Sequence, residues 1–247
     1  MGNYLILSGR KGITDLINNN LLNYLIEIVY LSSSQKYLIE LCRNKKIRFE
    51  LKEKNFFKKY KSKHKYQYAI ALIKAKKPLT LEELINKCSS KERALIIALD
   101  HLQDPFNVGA ILRTCCAAGV DGIIIPKNKQ APLNHELTIK ASQGYSLHID
   151  LVEVSNLATA IEKLKNNNFW IYSADINENA KSYREVKYAN KSILIMGSEG
   201  EGISPLISKK TDVNIYIPME NKVNSLNVSV AAGVLVFEIL KKVPHTF

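Results

Sequence analysis

Five short apolar runs recur between residues 94 and 217, and helix-forming segments separate them. The first, Ala94-Leu95-Ile96-Ile97-Ala98-Leu99, is apolar at every position. A strand with one wet face alternates, whereas a continuous run belongs to a strand buried on both faces, as in a parallel sheet. The others fall at residues 122–125, 170–174, 193–196 and 213–217, with helices expected at 108–118, 157–166 and 228–242. This alternation predicts an α/β domain, a mostly parallel sheet covered by helices, over residues 93–247.

Residues 1–75 alternate as well: a helix is expected at 12–22, a strand at 26–31, a helix at 34–43, and strands at 47–51 and 69–73. They form a smaller α/β unit. Residues 76–92 read as a linker with a short helix, where Thr80 followed by Glu83 fits a capping box.

The chain of 247 residues is 46% hydrophobic and 23% charged, the balance of a water-soluble globular protein. No apolar run approaches the ~20 residues that span a bilayer, and Met1 to Arg10 lacks the basic start of a signal peptide. Cys42, Cys88, Cys115 and Cys116 form no CxxC pair, and adjacent Cys115 and Cys116 point to different helix faces. Neither a zinc site nor a disulfide is expected, and reduced thiols place the protein in the cytoplasm. The net charge of +12 suits a polyanionic partner. Lys52, Lys54, Lys58, Lys59, Lys61, Lys63 and Lys65 crowd one segment together with Phe56, Phe57, Tyr60, Tyr66 and Tyr68. Cations neutralise phosphates and aromatic rings stack on unpaired bases, so the mixture points to RNA.

Three polar constellations interrupt the apolar pattern. Asp104-Pro105-Phe106-Asn107-Val108-Gly109-Ala110 leads to Arg113, with Asn107 where a helix is expected to begin and both side chains able to face the carboxyl edge of the sheet. Gly197-Ser198-Glu199-Gly200-Glu201-Gly202 is a glycine-rich turn after a strand. It carries its acids inside the turn and follows a late strand, unlike a dinucleotide-binding fingerprint. Ile217-Pro218-Met219 leads into Ser225-Leu226-Asn227-Val228-Ser229 at a helix start. One small polar residue there is explained by capping; three suggest a site.

In this order and spacing the three motifs resemble the SpoU (TrmH-like) family of RNA ribose 2'-O-methyltransferases of the SPOUT class, over residues 94–241. The front unit and linker further resemble the branch that modifies a guanosine of large-subunit (23S-type) rRNA. The resemblance implies a trefoil-knotted SPOUT domain at 93–247, an L30e-like RNA-binding domain at 1–75, a homodimer, no metal and S-adenosylmethionine as cofactor. Gly197, Gly202, Ile217, Met219 and Leu226 would then bind the cofactor. Arg113, Asn107, Glu199, Ser225 and Asn227 would act on the ribose. A guanidinium stays protonated near neutral pH, so Arg113 is read as holding phosphate and the developing 2'-oxyanion rather than as a base. Asn107 would orient the arginine or the ribose, Ser225 and Asn227 would position hydroxyl and arginine, and Glu199 would hold loop or substrate. The family usually has glycine where this chain has Asn221, and the rRNA branch tends to have His-Gln-Gly in place of Tyr66-Gln67-Tyr68. A tRNA ribose methyltransferase, a thiostrepton-resistance-type rRNA methyltransferase and a non-catalytic RNA-binding or ribosome-assembly protein are the alternatives.

Overall fold

A computed structural model describes residues 4–60, 67–74, 76–128, 130–132, 135–198, 200–220 and 225–241. The chain divides into two compact units, one of Met1–Lys77 with Pro132–His148, the other of Pro78–Ala131 with Ile149–Phe247.

The first unit contains β1 (Tyr4–Ser8), α1 (Arg10–Asn18), β2 (Ile26–Leu31), α2 (Lys36–Asn44), β3 (Phe49–Leu51) and β4 (Ala69–Lys74). Its sheet has the order β1-β4-β2-β3, with β4 antiparallel to both neighbours and β3 parallel to β2. The expected helix at 12–22 divides into α1 and a 3-10 turn over Asn20–Leu25, and the expected strand at 47–51 shrinks to β3. Ile13, Leu16 and Ile17 of α1 and Leu38, Ile39 and Cys42 of α2 lie three and four residues apart, so each helix turns one apolar stripe onto the sheet. A segment distant in sequence completes this core, contributing Ile139 and Leu147. Glu136 fastens it, accepting from the Ser8 backbone N–H at 2.8 Å and from the Ser8 hydroxyl, and pairing with Lys140 at 2.7 Å.

The second unit runs α3 (Leu81–Ser89), β5 (Ala94–Asp100), α4 (Pro105–Ala118) and β6 (Gly122–Pro126), and the first unit's α5 (Glu136–Ala141) follows. It resumes with β7 (Leu151–Val154), α6 (Leu157–Lys165), β8 (Trp170–Ala174), β9 (Lys181–Ser182) and β10 (Lys191–Gly197). It ends with α7 (Pro205–Ser208), β11 (Val213–Tyr216) and α8 (Val228–Ile239). The sheet order is β7-β6-β5-β10-β8-β11-β9, and every pair is parallel. All seven residues of β5 are buried, as its unbroken apolar run requires. Ala94, Ile96, Ala98, Ile193 and Ile195 meet α3, α6 and α7 in one core. Alternation along the strand sends Leu95, Ile97 and Leu99 to the opposite face, where α4 and α8 pack. At the start of α3, the Thr80 hydroxyl accepts from Glu83 N–H at 3.2 Å and Glu83 accepts from Thr80 N–H at 2.6 Å, the expected capping box.

The strand order reverses at the centre. The connection leaving β5 passes through α4 to β6 on one side, while that leaving β10 passes through α7 to β11 on the other. Two loops therefore diverge above adjacent carboxyl ends, the place where open α/β sheets form a crevice.

Candidate active site

The loop after β5 is fixed from three directions. Asp100 is buried, with Oδ2 accepting from Ser204 N–H at 2.8 Å, so this loop is tied to the one after β10. His101 adopts φ 60°, a left-handed conformation uncommon outside glycine and asparagine, with Nδ1 2.5 Å from Asp100 Oδ1. Leu102 N–H donates to Gln130 Oε1 at 2.8 Å. The helix then begins at Pro105, with Asp104 as its N-cap accepting from Phe106 N–H at 2.9 Å. Asn107, expected at the helix start, instead lies inside the first turn. Aspartate before proline is a strong start signal, because proline at the first helical position loses no needed donor.

The loop after β10 folds back on itself. Ser198 and Gly202 exchange two backbone hydrogen bonds, each 3.0 Å. Gly202 holds φ +67°, which favours glycine. A Cβ at Gly197 would lie 2.3 Å from the Gly202 carbonyl and 2.6 Å from Ile203 N, so no side chain fits there. Both glycines thus have structural work in the turn. Glu199 lies outside the described residues.

The third loop follows β11 and leaves from the same carboxyl edge of the sheet, beside the end of β8. Ile217, Met219, Ser225 and Leu226 line one cavity of about 260 Å3 together with Asp175 and Ile176, which follow β8. Asn227 caps α8, its Oδ1 accepting from Ser229 N–H at 2.9 Å and Ser229 Oγ at 2.5 Å. With its oxygen engaged, the amide turns its nitrogen outward and donates to Asn107 Oδ1 at 3.0 Å. The third loop is thereby joined to α4, the helix that carries Arg113. Arg113 is exposed and makes no ion pair or hydrogen bond among the described residues. Six residues along a helix rotate a side chain by about 600°, a third of a turn from its start, so Asn107 and Arg113 diverge instead of sharing one direction. Asn221 lies outside the described residues.

Asp175 and Ile176 escaped the sequence reading because they follow an apolar run and look like loop. The usable signal was position: residues just past the carboxyl end of a parallel strand face the crevice. Cysteine chemistry has no place here. The four thiols are free, Cys42, Cys88 and Cys115 are buried, and burial pushes Cys42 and Cys88 up to about 11 and Cys115 further still. Among the described residues no cluster of His, Cys, Asp or Glu could hold a metal ion, and no helix is long and apolar enough to cross a membrane.

In the first unit the basic segment forms a 3-10 helix over Lys54–Tyr60. Phe56 packs against Tyr30 at 4.9 Å between centroids and against Tyr60 at 5.6 Å. Lys59 Nζ stands 4.1 Å from the Phe56 ring, Lys52 5.5 Å from it, and Lys54 5.6 Å from Tyr68. The rings are occupied by one another and by ammonium groups, so they anchor a cationic surface more than they offer bare stacking faces. Lys61, Lys63, Lys65 and Tyr66 lie outside the described residues.

Residues 94–237 match the model of the SpoU rRNA Methylase family. A protein of Mycoplasma genitalium described as an uncharacterized tRNA/rRNA methyltransferase is 41% identical over 234 residues, 94% of this chain and 95% of that protein. Its Mycoplasma pneumoniae homologue is 38% identical over 234 residues, with coverages of 94% and 95%. Among solved structures, the AdoMet-bound SpoU methyltransferase AviRb of Streptomyces viridochromogenes superposes with TM-score 0.75 at 17% identity, covering 96% of this chain and 89% of that one. The AdoMet-bound rRNA methyltransferase of Sinorhizobium meliloti gives 0.72 at 20%, covering 96% and 87%. At these identities the superpositions establish a common fold.

Proposed function

The chain belongs to the SpoU rRNA Methylase family, and from that premise we propose that it is an S-adenosylmethionine-dependent RNA ribose 2'-O-methyltransferase acting on a guanosine of large-subunit rRNA. The observation that carries the reading is the Asn227–Asn107 hydrogen bond, 3.0 Å long. It joins the loop lining the apolar cavity to the helix bearing Arg113, which makes no ion pair among the described residues, so a methyl donor and an anionic acceptor can be held side by side.

The cavity suits the cofactor. Ile176, Ile217 and Leu226 offer apolar walls for a purine face and a methylene chain, and Asp175 and Ser225 offer polar groups to hydroxyl or ammonium donors. S-adenosylmethionine, when bound, supplies a methyl group already activated by its sulfonium. What remains for the protein is alignment and charge stabilisation. Arg113 holds the phosphate and the oxyanion developing at the ribose 2'-oxygen through its permanently protonated fork. Ser225 positions the hydroxyl, Asn227 and Asn107 fix the two elements relative to each other, and Glu199 holds the loop or the substrate. Gly197 and Gly202 serve the cofactor site by shaping the turn after β10.

Residues 1–75 serve as an L30e-like RNA-binding domain, their lysines over Phe56, Tyr60 and Tyr68 meeting phosphates, and the catalytic domain spans 93–247 except for residues 132–148, which group with the first unit, while α3 of the expected linker packs in the second. The enzyme works as a homodimer in the cytoplasm. Supporting the dimer, α8 is apolar around almost its whole circumference, yet Val230 and Phe237 are 52% and 57% exposed and Phe106 on neighbouring α4 is 60% exposed. A helix of that composition is normally covered on every side. The test is to map ribose methylations in rRNA and tRNA by mass spectrometry with and without the gene. One 2'-O-methylguanosine of large-subunit rRNA disappears on this reading; an unchanged map refutes it, and a lost tRNA mark moves the substrate to tRNA.

A further inference from the structure

The crevice where the strand order reverses is a second cavity, separate from the apolar one. It measures about 610 Å3 and is lined by His101, Gln103, Asp104, Ser198, Glu201 and Ser204. Its floor is the pair of central carboxyl ends, Asp100 opposite Gly197. The volume lies within the roughly 300–1,000 Å3 of small-ligand sites.

Its charge runs against that of the chain as a whole. The whole chain carries +12, yet among the described lining residues there is no lysine or arginine and there are two carboxylates. Phosphate would be repelled there. The pocket instead suits a neutral group rich in N–H donors, because an ionised carboxylate only accepts. Asp104 has one oxygen committed to capping α4. Glu201 has both open: its side chain is exposed and makes no hydrogen bond or ion pair among the described residues. Its backbone is held, since Glu201 N–H donates to Ser198 Oγ at 3.2 Å within the closed Ser198–Gly202 turn. Behind the wall, Asp100 is 1% exposed, with Oδ1 2.5 Å from His101 Nδ1 and Oδ2 accepting from Ser204 N–H at 2.8 Å, so a buried carboxylate fixes two of the lining residues.

We propose that this crevice receives the target nucleobase and selects guanine, with Glu201 accepting from its N1–H and N2–H2 groups. Enzymes that act on a nucleotide commonly turn its base out of the stack and read the Watson–Crick edge. Guanine alone among the four RNA bases presents two adjacent donors on that edge. Adenine and cytosine place a ring-nitrogen acceptor beside their amino group, and uracil flanks its one N–H with carbonyls, so each would aim a lone pair at the carboxylate. The inference rests on the reading of this chain as an RNA ribose methyltransferase and adds the residue that chooses the base.

The experiment uses the full chain, RNA from cells lacking the gene, and tritiated S-adenosylmethionine, with methylated nucleotides mapped by mass spectrometry. Wild type is expected to form 2'-O-methylguanosine. Glu201→Gln, which exchanges an acceptor for a donor, is expected to lower kcat/KM roughly 10- to 100-fold, the worth of one bidentate base contact. Its cofactor affinity and melting temperature should stay unchanged. Inosine ligated at the same site lacks the 2-amino group and should slow wild type while changing Glu201→Gln little. Methylation of a ribose on any other base, or an unimpaired Glu201→Gln enzyme, overturns the pocket assignment and leaves the methyltransferase reading standing. If wild type methylates no RNA, the methyltransferase reading falls and the pocket assignment falls with it.

Discussion

The Asn227–Asn107 bond can be weighed by a double-mutant cycle. Asn227→Ala removes two things, the N-cap of α8 and the amide donor to Asn107. A lost asparagine cap costs about 1 kcal/mol, and a lost hydrogen bond between side chains adds about 0.5–1.5 kcal/mol. The single substitution should therefore destabilise by roughly 2 kcal/mol, a fall in Tm of about 4–8 °C for a domain of this size. Asn107→Ala leaves the cap intact and should cost only about 1 kcal/mol. In the double variant the shared bond is lost once, so its cost should match Asn227→Ala, about 1 kcal/mol less than the sum of the singles. Asn227→Ser retains a capping oxygen and should recover the cap portion alone. Urea denaturation followed by far-UV circular dichroism measures all four. Single costs that add to the double within about 0.3 kcal/mol would show that the two side chains are energetically independent, and the link between the cofactor loop and the arginine helix would lose its physical basis.

Arg113→Ala should abolish methyl transfer while leaving cofactor affinity within about threefold by calorimetry, since the arginine lies outside the apolar cavity; loss of both together would contradict its role toward the acceptor. Gly197→Ala drives a Cβ to 2.3 Å from the Gly202 carbonyl and should cost about 1–3 kcal/mol or more in denaturant titration, with weakened cofactor binding as the turn opens. Burial raises the Glu136 carboxyl, but hydrogen bonds from Lys140 and Ser8 outweigh it and hold the group below the usual range. A depressed folded-state value gives stability that is present above the unfolded carboxylate pKa and is lost as pH falls through the folded one. Glu136→Gln should accordingly flatten the acid limb of a stability–pH curve below about pH 4.5, and an unchanged limb would sink the assignment. Half-buried Cys116 should react with a thiol reagent in the folded protein well before Cys42, Cys88 or Cys115, as read from labelled-peptide masses.

Local signals were legible wherever burial was complete. β5, β6 and the centre of β10 fall on the apolar runs because strands covered on both faces leave few polar positions to blur the signal, and β8 and β11 fall on them as well although each is partly exposed. The edge strands escaped notice for the opposite reason: β7, Leu-Val-Glu-Val, is half solvated, and β9 has two residues. α4 starts at Pro105 with Asp104 as its cap, three residues ahead of the expected helix at 108–118 with Asn107 at its start. Phe106 is indeed exposed, and an exposed first turn carries no apolar periodicity.

The sequence by itself determined the α/β class and the family, since each depends on periodicity or on motifs of contiguous residues. Tertiary structure alone decided what depends on residues far apart in the chain. It set β10 between β5 and β8, so that Asp100 stands beside Gly197 and a polar crevice opens above them. It brought Asn227 to Asn107 across 120 positions and grouped residues 132–148 with the first unit through Glu136 and Ser8. A hydrogen bond reaches about 3 Å whatever the sequence separation, and only the completed sheet fixes which distant groups arrive within that reach.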